Sequence, residues 1–188
     1  MPLKFRPAEP RDAEHAVPLI YSSGPAAFDY AFRRAGLTAE GFLQAAFVDG
    51  AGMFGYPRHW VGELGGKVVA TGSGYSGEVN LRNMLSATRQ IMLCYGPISA
   101  FPVMFNGLQL EQIIQPPPRQ TYYLAHLGVA ESLRGEGIGT RLVEHLLKLG
   151  RSAGFQLAAL DVSAGNPQAQ ALYERLGFSV VTERVSTL

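Results

Sequence analysis

The sequence predicts one α/β domain over residues 1–188, with helices packed on a sheet. From Thr121 onward the pattern runs strand-helix-strand-helix-strand, which is typical of layered α/β proteins. Upstream, the apolar runs 59–64 and 67–75 are joined by Gly65-Gly66, a two-residue turn that indicates an antiparallel hairpin. The chain of 188 residues is 47% hydrophobic and 16% charged, so it holds enough apolar side chains for a core and lacks the composition of a disordered protein.

The N-terminal part of the chain predicts one strand followed by helices. The elements are a strand at 3–6 and helices at about 12–21, 25–34 and 38–47. Pro18 is expected to kink or split the first helix, because proline has no N–H to donate. Gly36 separates the last two helices, and Thr38 is the expected N-cap of the second.

Residues 80–118 predict a helical insertion between the hairpin and the later strands. Helical spacing over 81–95 ends at Gly96-Pro97, and a second helical piece leads to three consecutive prolines at 116–118. Residues 90–110 carry no charge, yet they include glycine, proline and asparagine. We therefore expect a buried or half-buried helix there rather than one that spans a membrane.

The last third of the chain predicts the alternating elements of the domain. They are a strand at 121–129, a helix at about 137–153, a strand at about 155–162, a helix at about 167–176 and a strand from Phe178. Gly154 and Gly177 follow the two helices at the positions where helices commonly end.

Charge and cysteine content exclude several classes of function. With 16 basic and 15 acidic side chains the formal net charge is +1, which does not favour nucleic acid or an anionic membrane as partner. Cys94 is the single cysteine, so no internal disulfide is possible, and with four histidines it has no zinc-site spacing. Acidic residues interrupt any signal-like stretch near the N-terminus. We expect a cytoplasmic protein with no metal.

The glycine-rich segment 127–140 carries the chemistry. It lies between an apolar strand and an amphipathic helix, so its glycines fall at the helix N-terminus, where free amides and the helix dipole favour a phosphate group. The spacing fits neither a dinucleotide-binding motif nor a P-loop, and a turn that only packs the helix is the alternative. The candidate cofactor-binding residues here are Leu127, Gly128, Val129, Arg134, Gly135, Glu136, Gly137, Ile138, Gly139 and Thr140.

Together with a second motif, this segment resembles a known family. Arg134-x-x-Gly137-x-Gly139 and the stretch from Asn166 to Phe178, NPQAQALYERLGF, make residues 122–181 similar to the acyl-CoA-binding half of the GNAT superfamily of N-acetyltransferases. The resemblance implies a mixed, mostly antiparallel twisted sheet flanked by helices, and acetyl-CoA as co-substrate.

The resemblance also implies roles for individual residues. The backbone of Leu127 and Val129 would face the acetyl and pantetheine groups, and Asn166 would lie near the cofactor. Tyr173 would donate a proton to the departing thiolate, which suits a phenol that is protonated at neutral pH. The purely structural alternatives are that Asn166 serves as a helix N-cap and that Tyr173 only packs against its neighbours.

A general base is harder to identify. The strand 121–127 has no carboxylate, and its nearest titratable residue is His126, which is as consistent with a structural role as with a functional one. Strict alternation points His126 away from Leu127 unless a bulge re-aims it. Glu63, His59 and Asp161 are lesser candidates.

The resemblance therefore predicts an N-acetyltransferase in which a primary amine attacks acetyl-CoA directly, since Cys94 lies far from the motif in sequence. A small-molecule acceptor is favoured; a protein N-terminus or lysine, or a non-catalytic acyl-CoA-binding sensor, are the alternatives. Residues 80–118, with the aromatic helices at 25–47, are expected to form the acceptor side of the cleft. A core or homodimer role for the same segment is equally open.

Overall fold

The computed structural model describes residues 2–76, 81–115 and 118–185, and this part of the chain folds into one sheet with helices on both faces. The strands are β1 (Lys4–Pro7), β2 (His59–Leu64), β3 (Lys67–Ser76), β4 (Thr121–Val129) and β5 (Leu157–Ala159). The α-helices are α1 (Ala13–Ser22), α2 (Pro25–Phe32), α3 (Ala39–Asp49), α4 (Leu81–Ile113), α5 (Ile138–Ser152) and α6 (Pro167–Arg175). The predicted hairpin, insertion and strand-helix alternation are confirmed as far as α6.

The sheet is mixed and mostly antiparallel, as the family resemblance implied. Its order is β1-β2-β3-β4-β5, and only β4 and β5 run parallel. That parallel pairing covers Thr121 to Tyr123 opposite Leu157 to Ala159 and then stops. Within the described residues, the edge of β4 from 124 to 129 therefore has no strand beside it on the β5 side.

Each face of the sheet is covered by amphipathic helices. On one face Leu142, Val143 and Leu146 of α5 pack on Leu124 of β4. On the other face α1 and α3 form a second cluster. Burying an aliphatic or aromatic side chain of this kind contributes about 1.5–3 kcal/mol, so these two layers hold β4 and its neighbours in place.

The insertion helix α4 differs from the expectation in its exposure. Gly96 breaks it, with φ 70° and ψ 169°, as the sequence predicted. Tyr95 and Val103 pack against α2 and α3, but the opposite side is open: Ile98 is 89% exposed and Phe101 is 74% exposed. The stretch Met84–Ile113 is long and apolar enough to cross a membrane by length and composition alone, with only 17% of its apolar window buried. The expected buried or half-buried helix is thus packed on one side only.

Two further predictions concern Pro18 and the tail. Pro18 does not split α1, and Val17 and Ile20 on either side of it are buried in the core; a kink at this position stays a prediction. The predicted strand from Phe178 is wrong. Residues 178–185 form no strand: Val181 is 92% exposed, and Arg184 donates to the carbonyl of Ile113 and to Gln115 instead. Arg184 of the tail thus lies beside the end of α4. The predicted N-cap is confirmed, since the Thr38 hydroxyl accepts from the amide of Gly41 at 3.0 Å.

Candidate active site

The glycine-rich turn between β4 and α5 is open and shaped by its glycines. Gly135 and Gly137 have φ of 86° and 74°, a backbone region that L-residues rarely adopt. A Cβ placed on either would meet no atom within 4 Å, so the space above the turn is free. These two glycines leave an exposed backbone surface that an anionic group can approach closely.

The start of α5 presents donors that have no partner within the helix. The first helical hydrogen bond runs from the amide of Arg141 to the carbonyl of Gly137 at 3.1 Å, and no side chain caps the helix. The amides of Ile138, Gly139 and Thr140 precede that bond. Arg134 is exposed and bonds the carbonyl of Val129 through Nε at 3.3 Å, which anchors the guanidinium beside the turn. This arrangement can bind a diphosphate through amides, helix dipole and one cation.

Two of the candidate glycines have packing reasons instead. A Cβ on Gly128 would lie 2.2 Å from the carbonyl oxygen of Leu19, because α1 crosses β4 there. A Cβ on Gly139 would lie 3.3 Å from Leu172 and 3.8 Å from Val129. Gly139 therefore lets the end of β4, the start of α5 and helix α6 meet, which is a different role from the expected approach of a phosphate.

The open edge of β4 adjoins this turn. Leu127 and Val129 belong to it, and their side chains pack in the cluster beneath α5. Because β5 leaves β4 after Tyr123, backbone N–H and C=O groups along this edge are available to a ligand that lies between the two strands. The role that the resemblance implied for Leu127 and Val129 thus fits the geometry and stays a prediction.

A bulge in β4 is centred on His126. Its φ is 55°, a left-handed value that is uncommon for residues other than glycine, and the pairing of β3 with β4 shifts register between Thr71 and Ser73. The ring lies 5.2 Å from the ring of Phe54 and 6.0 Å from that of Phe28. His126 thus faces helices α1 to α3, opposite to Leu127. Backbone strain of this kind concentrates at functional sites.

His59, a lesser candidate in the sequence, contacts His126 directly. Its Nε2 lies 3.0 Å from Nδ1 of His126, with the two rings stacked at 5.2 Å. Its Nδ1 lies 3.0 Å from the carbonyl oxygen of Gly55. Ser73 completes the group: its hydroxyl donates to the carbonyl of Ala125 at 3.2 Å and lies 3.4 Å from Nδ1 of His126.

Burial favours the neutral form of both histidine rings. Burial lowers the pKa of His59 from 6.5 to about 4. Burial, and then the neighbouring His59, lower the pKa of His126 well below its ordinary value. A neutral imidazole retains one unprotonated ring nitrogen, which can accept a proton from a substrate.

Helix α6 carries the other two candidates. Asn166 caps it, since its Oδ1 accepts from the amide of Ala169 at 3.1 Å, so the structural alternative is observed; its role near a cofactor stays a prediction. The Tyr173 ring packs against Phe178 and the cluster beneath α5. Burial raises the pKa of Tyr173, which keeps its hydroxyl protonated, and that hydroxyl has no hydrogen-bond partner among the described residues.

The remaining acidic candidates are occupied elsewhere. Glu63 accepts from Arg6 at 3.0 Å, in an ion-pair network that also includes Asp12. Asp161 accepts from the hydroxyl of Tyr123 at 2.5 Å, just past the end of β5. Neither is placed beside His126 by any contact in the described part of the chain.

Three residues surround His126 in the structure: Phe28, Phe54 and Ser73. Phe28 belongs to the aromatic helices at 25–47 that the sequence placed on the acceptor side, whereas Phe54 and Ser73 were not among the candidates.

A regular hairpin closed by Gly65-Gly66 would pair His59 with Gly72, and the register shift between Gly62 and Glu63 pairs it with Ser73 instead. Ser73 in turn pairs with Ala125, which brings His59 within reach of position 126. The local sequence therefore held no signal for this contact.

Comparisons with known proteins identify relatives of this chain. The model of the "Acetyltransferase (GNAT) family" matches residues 40–178. The chain is 32% identical over 74 residues to 5-NmdU N-acetyltransferase of Pseudomonas phage PaMx11, covering 39% of this chain and 49% of that protein. It is 38% identical over 56 residues to N-alpha-acetyltransferase 30 of Schizosaccharomyces pombe, covering 30% of this chain and 37% of that protein. The chain thus matches half or less of the length of each of these curated relatives.

A solved structure shows the same fold over nearly the whole chain. The crystal structure of an N-acetyltransferase from Staphylococcus aureus Mu50 is similar with a TM-score of 0.68 and 20% sequence identity. The similarity covers 97% of this chain and 93% of that one. At this identity the likeness establishes the overall architecture of sheet and helices.

Proposed function

The chain belongs to the acetyltransferase (GNAT) family, and we propose that it transfers an acetyl group from acetyl-CoA to a primary amine by direct attack. The observation that carries this proposal is the parting of β4 and β5 beside the uncapped start of α5. That parting gives one elongated ligand a place for its anionic end and an open strand edge for the rest.

The described residues fit the co-substrate that the family uses. The amides of Ile138, Gly139 and Thr140, with Arg134, would hold the diphosphate, and Gly135 and Gly137 leave room for it. The edge of β4 at 124–129 would hydrogen-bond the amide groups of the pantetheine arm. Acetyl-CoA supplies the acetyl group as a thioester, which is already activated toward an amine.

His126 is the proposed general base. It lies in the bulge of the same strand, and its lowered pKa favours the neutral imidazole, in which one ring nitrogen carries no hydrogen. An amine must lose a proton to become an amide, and Nε2 of His126 has no hydrogen-bond partner among the described residues. General base catalysis from such a position contributes about 100- to 10,000-fold.

Tyr173 is the proposed general acid. Its unpartnered hydroxyl stays protonated because burial raises its pKa. Gly139 brings α6 against the end of β4, through Leu172 next to Tyr173. A phenol so placed can return a proton to a departing thiolate, which lets the two proton transfers use two different residues.

We propose a small-molecule amine as acceptor, in the reducing cytoplasm. The net charge of +1 and the absence of an acidic run do not favour a lysine-rich protein surface. The similarity to N-alpha-acetyltransferase 30 supports a protein N-terminus as the second candidate. A non-catalytic acyl-CoA sensor is the third, and the absence of a carboxylate on β4 is the observation in its favour.

The exposed face of α4 supports the homodimer alternative more than the acceptor pocket. Phe101 is 74% exposed, Phe105 60% and Leu108 61%, so this face points outward. Exposed apolar patches of this kind are typical of interfaces. In the Phe101→Asp variant, light scattering should show a smaller particle than the wild type while affinity for CoA is kept. An unchanged mass with impaired use of the acceptor would support the pocket instead.

The proposed activity is tested by thiol release from acetyl-CoA over a panel of amines that includes polyamines, amino sugars, free lysine and N-terminal peptides. Calorimetry with CoA runs beside it. The proposal predicts micromolar or tighter CoA binding and turnover on at least one primary amine. CoA binding without turnover on any amine would support the sensor, and no CoA binding would contradict the site itself.

A further inference from the structure

Buried His59 and half-buried His126, both in the neutral form, allow only one arrangement of protons. The carbonyl oxygen of Gly55 can only accept, so Nδ1 of His59, 3.0 Å away, must carry the hydrogen. In a neutral imidazole the other nitrogen is then an acceptor, so Nε2 of His59 offers a lone pair. Nδ1 of His126, 3.0 Å from it, must therefore donate.

The neighbouring hydroxyl favours the same arrangement. The hydroxyl of Ser73 donates its hydrogen to the carbonyl of Ala125. Its oxygen therefore has lone pairs that can accept from Nδ1 of His126, 3.4 Å away. Both groups near Nδ1 of His126 are acceptors, and both are satisfied if that nitrogen bears the hydrogen. The remaining nitrogen of His126, Nε2, is then unprotonated.

We propose that His59 is a positioning residue: through the chain from the Gly55 carbonyl to His59 to His126, it sets the His126 tautomer that leaves Nε2 free to accept a proton. This inference rests on the proposed role of His126 as base. It adds a function to a buried residue on β2, which would act through His126 rather than by contact with co-substrate or acceptor.

The chain is rigid at its far end. A Cβ on Gly55 would lie 2.3 Å from the carbonyl carbon and oxygen of Gly50, so the two backbones pack directly against each other. The Gly55 carbonyl also accepts from the amide of Arg58 at 3.0 Å, which helps to fix its direction. His59 is 1% exposed, and its ring lies 5.5 Å from that of Phe47, tilted by 48°. The acceptor for His126 is therefore held in place before substrate binds.

The arrangement also provides for the charge that forms. When the amine attacks, its N–H bond breaks, Nε2 of His126 gains the proton, and the ring becomes an imidazolium. Its Nδ1–H then donates a charge-assisted hydrogen bond to Nε2 of His59, whose Nδ1–H in turn points at the Gly55 carbonyl. The facing groups are Phe28 of α2, Phe54 before β2, His59 of β2 and Ser73 of β3, and the only titratable one among these is His59.

Long-range ¹⁵N–¹H NMR of the histidine rings tests the tautomer without any assay of activity. In the wild type near pH 7, His126 should show a protonated Nδ1 and an unprotonated Nε2, while exposed His15 serves as the reference for an unconstrained ring. A protonated Nε2 on His126 in the wild type would overturn the proposal, and this measurement needs no variant to fold.

A matched pair of variants tests the role of His59. His59→Gln keeps an oxygen that can accept from Nδ1 of His126, and His59→Leu removes the acceptor. We expect the leucine variant to move His126 toward the Nε2–H form and to lower kcat/KM for the acceptor about 10- to 100-fold, the range for partners that orient a functional imidazole, with Kd for CoA unchanged. The glutamine variant should recover part of both effects.

The outcomes separate this inference from the proposed function. If the leucine variant keeps the wild-type tautomer and the wild-type kcat/KM, His59 is structural and the inference is wrong. If the tautomer moves while kcat/KM does not, the assignment of His126 as base fails, and with it any catalytic importance of His59. If no amine is a substrate, the tautomer measurement still decides the proton arrangement.

Discussion

Placing a negative charge at Gly137 separates the binding role of the turn from its role in the fold. Gly137 precedes the first residue of α5 with φ 74°, and a side chain there would meet no atom within 4 Å. Asp and Asn both tolerate this backbone better than other residues, at a cost of about 1 kcal/mol. Gly137→Asp and Gly137→Asn therefore differ in charge and hardly in strain.

The charge should act in opposite directions on stability and on binding. In the free protein, a carboxylate at the helix N-terminus is favourable by about 0.3–1 kcal/mol. The Asp variant should therefore have the larger free energy of unfolding and unfold at a slightly higher urea concentration than the Asn variant. Against a bound diphosphate with two negative charges roughly 5 Å away, the same carboxylate is repelled by about 1.5 kcal/mol in water. That repulsion corresponds to about a tenfold weaker Kd for CoA in the Asp variant than in the Asn variant.

Calorimetry with CoA and urea unfolding measure the two quantities on the same samples. Gly36→Asp is the control for backbone strain, since Gly36 has φ 80° and equally open surroundings but lies between α2 and α3. The difference in Kd should shrink as salt screens the charges. Equal CoA affinities for the Asp and Asn variants at low salt would refute the placement of the diphosphate at this turn.

The other predictions concern the proposed acid, Tyr173, and the buried His59. Tyr173→Phe should lower kcat about 100- to 10,000-fold while leaving Kd for CoA nearly unchanged, because the ring is kept and only the proton donor is lost; stopped-flow thiol release and calorimetry check it, and a wild-type kcat would reduce Tyr173 to a packing residue. Because burial lowers the pKa of His59 to about 4, the folded state loses stability as pH falls from 6.5 to 4, by roughly 3 kcal/mol. Urea unfolding at several pH values should show a shallower loss in His59→Gln, and equal slopes in both proteins would contradict the assignment.

How far the sequence predicts this fold depends on where local patterns decide the structure. The hairpin at Gly65-Gly66, the strand 121–129 and the helix after Gly137 follow from turn chemistry and apolar periodicity, and the structure confirms each of them. The prediction of a strand from Phe178 is wrong, because a strand forms only where a neighbouring strand pairs with it. The valines of the tail favour a strand, but they do not indicate that Arg184 bonds to Ile113 and Gln115. The open face of α4 was likewise not predictable, since the uncharged stretch 90–110 has the same composition whether another element covers it or not.

The site shows the same division. The glycines at 135 and 137 were interpretable because a positive φ and an open turn are local properties. The reason for Gly128 was not, because the carbonyl of Leu19 approaches it from a distant helix. The contact between His59 and His126 depends on two register shifts, one between Gly62 and Glu63 and one between Thr71 and Ser73. Side-chain packing from several elements sets both shifts, and no single segment encodes them.

The central claim, that His126 is the base in an amine acetyltransferase, is tested most directly by thiol release in the wild type and in His126→Asn. Asparagine tolerates the left-handed backbone at this position, where φ is 55°, and it cannot take up a proton. With an amine that the wild type acetylates, the variant should show kcat/KM lowered by at least about 100-fold at an unchanged Kd for CoA. Equal kcat/KM for the two proteins would contradict the account.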